Sequence, residues 1–285
     1  MSRPVLVPVE RALEHELSVA VAAARAAAAI QVDRYERLEH IVKKSAKDVV
    51  TEADHESEEA IIGIIREAFP GDAILAEESG HSEAGDGTGP PDGAGSTSPV
   101  DPDHRIWIID PLDGTVNYAA GIPHFCTSVG LAVGGRPVVG VVIDPLRGEV
   151  FSAVAGQGAR LDDRPIAAST GGLGDGIVSL ALPPSGFSRV DRAIRKAVRV
   201  PRSMGSAALG LAWTANGRFD GFIQWRGLSL WDLAAAGLIA EEAGNTVTTV
   251  DGSPWFDLTR PTRSTGLLAA PPGHHATLLG LLSGR

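Results

Sequence analysis

Cysteine is nearly absent from this 285-residue chain, which contains Cys126 alone. A single thiol cannot form an internal disulfide, so a reducing compartment is the simplest interpretation and we expect a cytoplasmic protein. A basic surplus is absent too, because 25 lysines and arginines stand against 35 aspartates and glutamates, a net charge of −10. Nucleic-acid backbones bind basic surfaces, so direct nucleic-acid binding is not expected.

Long apolar runs and internal repeats are also absent from the sequence. The most apolar stretch, Val19–Ile30, is interrupted by Arg25 and is too short to span a bilayer. No apolar core follows a basic start, so we expect neither a signal peptide nor a membrane partner. The alanine-rich stretch instead predicts one buried helix, from about Glu10 to about Tyr35.

Strand-like and helical segments alternate along the rest of the chain, which favours a layered α/β or α+β fold. Helices are predicted at 55–69, 189–198, 206–216, 231–243 and 275–282, and strands at 38–42, 73–76, 125–133, 137–143, 150–154, 158–161, 177–181, 220–224, 246–250 and 267–270. Residues 80–104 are rich in Gly, Pro, Ser and Asp and predict a mobile surface insertion. We expect two parts, 1–145 and 146–285, in one compact unit, the second completing the active site of the first.

Residues 107–118, which read Trp-Ile-Ile-Asp-Pro-Leu-Asp-Gly-Thr-Val-Asn-Tyr, are the most informative part of the sequence. The apolar run before Asp110 predicts a buried strand, so Asp110 lies where the strand ends and Asp113 in the turn beyond. Carboxylates this close repel each other unless a cation joins them, and hard ions such as Mg²⁺ take oxygen ligands. Gly114 leaves room for a ligand, and the Thr115 hydroxyl can orient a water. Alone, the run also fits an Asx-rich turn with solvated carboxylates.

Three further segments place carboxylates at the ends of predicted elements. Glu77 and Glu78 follow a short strand, and Asp54 and Asp232 each stand at a predicted helix start. Taken singly, each fits a solvated loop acid or an ordinary acid at a helix N-terminus. Taken together, these segments are better explained by one metal site that keeps open positions for water and substrate.

These segments resemble the inositol monophosphatase superfamily of Mg²⁺-dependent, Li⁺-sensitive sugar phosphatases. Five family patterns occur in the family's order: K-x-x-x-D-x-V-T-x-x-D at 44–54, G-E-E-S at 76–79 with Ala for Gly, W-x-x-D-P-[IL]-D-G-T-x-N-[FY] at 107–118, G-[ST]-A-A-L at 205–209, and W-D…E-A-G at 231–244. The resemblance implies an α+β fold, specifically a layered αβαβα sandwich of the sugar-phosphatase type, and a homodimer.

The resemblance also implies roles for individual residues. Two or three Mg²⁺ ions would be held by Glu77, Asp110, the Leu112 carbonyl, Asp113 and Asp232. The catalytic residues would be Asp54, Thr115 and Glu77, with Asp54 and Thr115 orienting the attacking water. Phosphate and substrate would be contacted by Asp113, Gly114, Thr115, Gly205, Ser206 and Ala207. These roles imply a phosphomonoesterase that hydrolyses a small phosphorylated metabolite through metal-activated water.

One position departs from the inositol-hydrolysing members of the family. Where those members carry a glutamate, seven residues before Asp232, this chain has Trp225, followed by Arg226. Tryptophan cannot accept hydrogen bonds from a polyol. We therefore expect Arg226 to contact a second anionic group and Trp225 to stack on a ring or cover a cation, the alternative being interface packing and a surface charge. The substrates left open are inositol phosphate, histidinol phosphate, fructose 1,6-bisphosphate and 3′-phosphoadenosine 5′-phosphate.

Other features have plainer interpretations. His124 is predicted to be structural, because Mg²⁺ prefers oxygen ligands, and Cys126 is predicted to be a packed residue. The basic residues between 189 and 202 are predicted to form a solvated helix face. Two non-enzymatic hypotheses stay open: a regulatory binding protein, as reported for some members of the family, and a passive Mg²⁺-binding structural domain.

Overall fold

The computed structural model describes residues 13–38, 41–45, 48–82 and 104–284. The helices are α1 Glu14–Arg34, α2 Glu52–Ala68, α3 Thr115–Ala119, α4 Ser188–Ala197, α5 Ala207–Ala215, α6 Leu230–Glu242 and α7 Pro272–Leu282. The strands are β1 Ile41–Ser45, β2 Asp48–Thr51, β3 Ala73–Ala76, β4 Gly80–Ser82, β5 Arg105–Asp113, β6 Cys126–Val133, β7 Arg136–Asp144, β8 Glu149–Val154, β9 Ala159–Leu161, β10 Arg164–Ile166, β11 Ile177–Ala181, β12 Val200–Arg202, β13 Gly221–Leu228, β14 Thr246–Thr249 and β15 Thr265–Ala270.

The first sheet has eight strands in the order β10-β9-β8-β7-β6-β5-β3-β4, and its pairs are antiparallel except β3 with β5. Side chains alternate across a strand. Trp107 and Ile109 therefore pack with α1 and α2, whereas Ile108 packs on the opposite face with α6. Gly130 and Gly140 are paired in register, and a Cβ on Gly140 would lie 2.7 Å from the Ala235 carbonyl oxygen. These glycines let α6 lie directly on the sheet.

The second sheet has five strands in the order β12-β11-β13-β15-β14. Phe222, Leu267 and Ala269 pack with α5 and α6, whereas Ile223 and Leu268 pack on the other face with α4 and α7. The layers are therefore α1 and α2, the first sheet, α5 and α6, the second sheet, and α4 and α7. The predicted α-β-α-β-α sandwich is confirmed.

Several element boundaries differ from the predicted ones. Helix α2 begins at Glu52 rather than at His55, because Thr51 is its N-cap residue. The strand predicted at 38–42 is instead Ile41–Ser45, which pairs with β2. Strand β13 continues past its predicted end to Leu228.

Three further predictions concern the start of α1, the insertion at 80–104 and the division of the chain into two parts. The predicted helix start near residue 10 and most of the insertion at 80–104 lie outside the described residues. The division into 1–145 and 146–285 stays a prediction, and strands β8, β9 and β10, which follow residue 146, hydrogen-bond into the first sheet. Within the described ranges, no helix combines the length and apolar character that crossing a membrane requires.

Candidate metal centre

Three aspartates meet where β5 and α6 come together. Asp110 and Asp113 lie at the C-terminal end of β5, and Asp232 lies in the first turn of α6. One carboxylate oxygen of each lies within 4.8 Å of the oxygens of the other two. Asp110 and Asp113 are buried in the protein. The structure therefore brings together three of the residues that the sequence predicted as metal ligands.

The electrostatics of this aspartate cluster favour a bound cation. Burial is the largest cause that raises the pKa of each carboxyl. Repulsion from Glu77 and Asp113 further raises the pKa of Asp110, and repulsion from Asp113 raises the pKa of Asp232. Buried carboxylates that repel each other become stable in the ionised form when a divalent ion joins them. All the donors are oxygens, so the residues present fit a hard ion such as Mg²⁺.

The turn that carries Asp110 and Asp113 is a β-bulge. Asp110 pairs with Ser128 and Asp113 with Cys126, so Pro111 and Leu112 stand opposite Thr127 alone. A bulge of this kind bends its strand and redirects its side chains. The Leu112 amide donates to Asp110 Oδ1 at 3.1 Å, which closes the turn.

Gly114 follows the bulge and begins the short helix α3. Its φ is +98°, a left-handed conformation that favours glycine, and an added Cβ would lie 3.1 Å from the His124 carbonyl oxygen. The next hydroxyl, Thr115 Oγ1, lies 3.0 Å from the Leu112 carbonyl oxygen. The glycine thus allows the chain to turn tightly enough to place Thr115 against the ligand-bearing bulge.

Asp54 reaches Thr115 from α2. Its Oδ1 lies 3.0 Å from Thr115 Oγ1, and its Oδ2 accepts hydrogen bonds from the Thr51 amide at 2.8 Å and the Thr51 hydroxyl at 2.7 Å. Burial, the largest cause, raises the pKa of Asp54 to about 6, although the hydrogen bonds from Thr51 and Thr115 oppose the shift. The predicted pair therefore lies side by side next to the metal-ligand turn.

Asp54 and Asp232 also begin their helices. Asp54 is the third residue of α2 and accepts a hydrogen bond from the backbone amide of the N-cap residue Thr51. Asp232 does the same in α6, where its Oδ2 accepts from the Ser229 amide at 2.5 Å. Both form capping boxes, which satisfy backbone amides that a helix start leaves without partners. One oxygen of each carboxylate therefore fixes a helix start.

Glu77 lies close to the cluster but is not one of the three aspartates whose carboxylate oxygens lie within 4.8 Å of one another. Its amide donates to the Ile109 carbonyl at 3.2 Å, and its charge raises the pKa of Asp110 and of Asp232. The buried Glu58 holds the following residues, because its two oxygens accept from the amides of Glu78 and Ser79 at 2.9 and 2.8 Å. The sequence analysis missed Glu58, although it lies one helical turn after Asp54 and hence on the same face.

The predicted substrate residues 205–207 reach the cluster from the N-terminus of α5. Asp113 Oδ2 accepts from the Ser206 hydroxyl at 2.5 Å and from the Ala208 amide at 2.7 Å. Asn117 Nδ2 donates to the carbonyls of His124 and Met204, both at 2.7 Å. The motif that carries the metal ligands is therefore bonded directly to the segment predicted to bind substrate.

A cavity of about 260 Å³ opens beside the cluster. It is lined by Asp113, Ser179, Ala181, Ser203, Met204, Gly205, Ser206, Ala207, Phe222, Gln224, Gly227, Leu228 and Asp232. Apart from the two acids, its polar side chains are neutral, from Ser179, Ser203, Ser206 and Gln224. Ser179 and Gln224 were not predicted, because neutral residues outside any motif carry no distinguishing signal.

Arg226 is not among the residues that line this cavity, so the cavity gives no support to the expected contact with a second anionic group. Strand β13 bulges between Gln224 and Leu228, and Gly227 has a φ of +93°, so the regular alternation of side chains is lost at Arg226, which is exposed. Trp225 packs with the core between the second sheet and α4 and α7, its ring 4.5 Å from Phe187. The tryptophan is therefore a packing residue.

His124 and Cys126 lie near the cluster as packed side chains. The His124 ring is buried edge-on to Trp213 at 4.9 Å, and burial lowers its pKa to about 4. Burial raises the pKa of the Cys126 thiol, whose sulfur lies 3.8 Å from Asp113 Oδ2. Both side chains are therefore uncharged at neutral pH, and the Cys126 thiol is not a nucleophilic thiolate. The basic residues of the predicted solvated face, 189, 192, 195, 196, 199 and 202, are exposed.

Comparison with known proteins gives one consistent result. The model of the inositol monophosphatase family matches residues 12–283. A Nus factor SuhB from Pasteurella multocida is 39% identical over 83% of this chain and 85% of its own length. Inositol monophosphatase 1 from Solanum lycopersicum is 34% identical over 87% of this chain and 88% of its own length. An extragenic suppressor protein suhB from Bartonella henselae superposes with a TM-score of 0.82 at 30% identity, covering 94% of this chain and 98% of that one. An inositol monophosphatase from Anabaena (Nostoc) superposes with a TM-score of 0.76 at 33% identity, covering 96% of this chain and 97% of that one.

Proposed function

Because the chain belongs to the inositol monophosphatase family, we propose that it is a Mg²⁺-dependent phosphomonoesterase acting on a small phosphorylated metabolite. The observation that carries the proposal is the meeting of Asp110, Asp113 and Asp232 beside the hydrogen-bonded pair Thr115 and Asp54. A passive metal site would not need this second pair of groups. A homodimer and a cytoplasmic location stay predictions.

The metal ligands would be Glu77, Asp110, the Leu112 carbonyl, Asp113 and Asp232. When bound there, two or three Mg²⁺ ions would neutralise the phosphate, lower the pKa of a bound water and stabilise the departing alkoxide. The backbone amides of Gly114 and Thr115 would bind the phosphate. Phosphate-ester hydrolysis is among the slowest uncatalysed reactions, so the cluster has a large barrier to lower.

Thr115 and Asp54 would handle the proton of the attacking water. The Thr115 hydroxyl can donate one hydrogen and can accept another. If it donates to Asp54 Oδ1, its lone pairs face the water and orient it; the carboxylate fixes the rotamer of the hydroxyl and favours this direction. Thr51 in turn holds Asp54 through Oδ2, so the whole chain of hydrogen bonds is anchored at the start of α2.

The cavity would receive the alcohol part of the substrate. Gly205, Ser206 and Ala207 line it at the metal side, and Gln224 lines its far wall. Because the wall offers neutral hydrogen-bonding groups and Arg226 lies outside, a compact hydroxyl-bearing alcohol fits better than a second phosphate. Among the four open substrates, this favours inositol phosphate and leaves histidinol phosphate as the alternative.

The direct test is phosphate release from these four esters and from glycerol 2-phosphate, with and without Mg²⁺. We expect turnover that needs Mg²⁺ and is lost in Asp113→Asn. Asp72→Asn is the matched control: Asp72 is also buried, but it is held by Arg105 and Trp107 away from the cluster. A folded wild-type protein that binds Mg²⁺ and releases no phosphate from any ester would contradict the proposal.

A regulatory binding function is the second candidate, because several relatives are named Nus factor SuhB. The net charge of −10 disfavours direct binding to RNA, so such a role would use a protein partner. A pull-down experiment with wild type and with Asp113→Asn as bait separates the two functions. A protein partner that still binds after the substitution binds independently of the aspartate cluster.

A further inference from the structure

The bulge in β5 creates a backbone group that its own sheet does not satisfy. Pro111 and Leu112 stand opposite a single residue, Thr127, so the ladder of hydrogen bonds between β5 and β6 is interrupted there. The Pro111 carbonyl lies between the metal-ligand residues Asp110 and Leu112 in the chain. A buried carbonyl without a partner would be costly, and it would leave the turn free to rotate.

Two side chains supply partners for this carbonyl: Thr127 of the neighbouring strand, and Gln31 of α1, which lies eighty residues earlier in the chain. Gln31 Nε2 donates to the Pro111 carbonyl at 2.6 Å and to Thr127 Oγ1 at 2.7 Å. The Thr127 hydroxyl lies 3.1 Å from the same carbonyl and donates to it. Gln31 is fully buried, so water does not compete for these bonds.

The orientation of this amide follows from its neighbours. The Pro111 carbonyl can only accept a hydrogen bond, so the side of the Gln31 amide that faces it must be the NH₂ group. The same NH₂ group has the second hydrogen needed for Thr127. Gln31 also stands out on its own helix, because the six buried residues that precede it from Val19 onward are valine or alanine. Packing alone does not call for a glutamine here.

The backbone of Gln31 holds the other side of the motif. Its carbonyl accepts a hydrogen bond at 2.9 Å from the hydroxyl of Tyr118, which is buried in α3. One residue of α1 is therefore bonded to the chain both before Asp113 and after Thr115. The metal-ligand turn is held between these two points.

We propose that Gln31 is a positioning residue that fixes the metal-ligand turn by holding the bulge carbonyl of Pro111, with the Thr127 hydroxyl as its relay. The side chain touches neither metal nor substrate; it sets where the Leu112 carbonyl and the carboxylates of Asp110 and Asp113 stand. Its effect on turnover rests on the proposed function, but its effect on the turn does not.

The test compares Gln31→Met, which keeps the size of the side chain and removes both donors, with wild type. Asn245→Leu is the matched control, because Asn245 is also a buried amide that donates to a backbone carbonyl, that of Ala240 at 3.0 Å, at the opposite end of α6 from Asp232. In the presence of a metal chelator, we expect the backbone hydrogen exchange of residues 110–118 to become about tenfold faster in Gln31→Met and to stay unchanged in Asn245→Leu.

The second readout is the midpoint of a Mg²⁺ titration, the free Mg²⁺ concentration at which half of the sites are occupied, measured by isothermal titration calorimetry. We expect it to rise about tenfold in Gln31→Met, the lower end for loss of an outer hydrogen bond at a metal site, and to stay within twofold in Asn245→Leu. Thr127→Val should cause a smaller rise and Thr127→Ser almost none. Folded Gln31→Met with unchanged exchange and an unchanged midpoint would overturn the proposal. Failure of wild type to release phosphate would overturn the proposed function alone, because both readouts are independent of turnover.

Discussion

The acid cluster and the wall of the cavity are built in opposite ways. Around the cluster each carboxylate is held by other groups: Asp110 by the Leu112 amide, Asp113 by α5, and Asp54 by Thr51. On the wall, Gln224 makes one long hydrogen bond, 3.4 Å to the Arg226 carbonyl, within the part of the chain that the structure describes. Reaction chemistry needs fixed geometry, whereas Gln224, with this single long hydrogen bond, has freedom to adjust. Substrate choice can therefore change without disturbing the acids.

The strongest test of this contrast is Asp110→Asn, which should separate activity from stability. Loss of one metal ligand should reduce kcat by about 1000-fold. The new amide oxygen still accepts from Leu112, and the buried repulsion that raises the pKa of Asp110 is removed. In chelator at pH 8 the free energy of unfolding in urea should therefore rise by about 1–3 kcal/mol. A less stable variant would show that the acids do not repel each other in the folded protein.

Thr115→Val tests the hydrogen-bonded pair. Without the hydroxyl, Asp54 no longer orients the water, and kcat should fall by about 100-fold while KM changes little. Thr115→Ser keeps the hydroxyl and should stay within a few-fold of wild type. Equal losses in the two variants would mean that the methyl group matters more than the hydroxyl.

The pH dependence of stability tests the burial of Asp54. Its folded pKa of about 6 lies above the ordinary value of 3.8, so the ionised form is disfavoured in the folded protein. Its stabilising contribution is therefore complete below about pH 3.8 and is lost as the pH rises through about 6. Relative to Asp54→Asn, metal-free wild type should lose roughly 2 kcal/mol between pH 4 and pH 7, measured by urea unfolding. Parallel curves for the two proteins would argue against it.

The wall should respond more weakly. Gln224→Leu removes one hydrogen-bonding group, so KM for inositol phosphate should rise by about fivefold to tenfold with kcat unchanged. KM for p-nitrophenyl phosphate, whose aryl group carries no hydroxyl, should change less. A fall in kcat for both substrates would place Gln224 among the groups that set the reaction geometry.

The smallest effect is expected for Arg226→Gln. Arg226 is exposed and lies outside the cavity, so kcat and KM should change by less than about twofold, for inositol phosphate and for fructose 1,6-bisphosphate alike. A selective rise in KM for the bisphosphate would restore the expectation that this arginine meets a second anion.

The sequence predicted a layered fold and one metal site that includes Asp110, Asp113 and Asp232, because strand ends, helix starts and motif order are local properties. The order of the five layers was implied by the family resemblance. It did not predict the supporting contacts. Gln31 reaches Pro111 across eighty residues, and only the packing of α1 on the first sheet brings them together. The sequence signal, one glutamine on an alanine face, became meaningful only when its partner was known.

The cavity gives the expectation for Arg226 no support, for a related reason. Counting seven residues back from Asp232 gave Trp225, and Arg226 is the residue that follows it. The bulge between Gln224 and Leu228 shifts the chain by an amount that no motif records. Asp110 and Asp113, whose spacing lies within one motif, are brought together in the structure, whereas the path of β13 depends on an irregularity between two motifs.

The two capping boxes bear on how inactive relatives would look. Asp54 and Asp232 each begin a helix through the same carboxylate that the proposed reaction uses. A descendant that no longer bound metal would still be under pressure to keep an acid at both positions, simply to start α2 and α6. Among the residues that the structure describes, Asp110 is bonded to the turn through the Leu112 amide and begins no helix, and neighbouring acids repel its charge, so it would be the first to change. When related sequences are sorted into active and inactive enzymes, the presence of Asp110 is therefore more informative than the presence of Asp54 or Asp232.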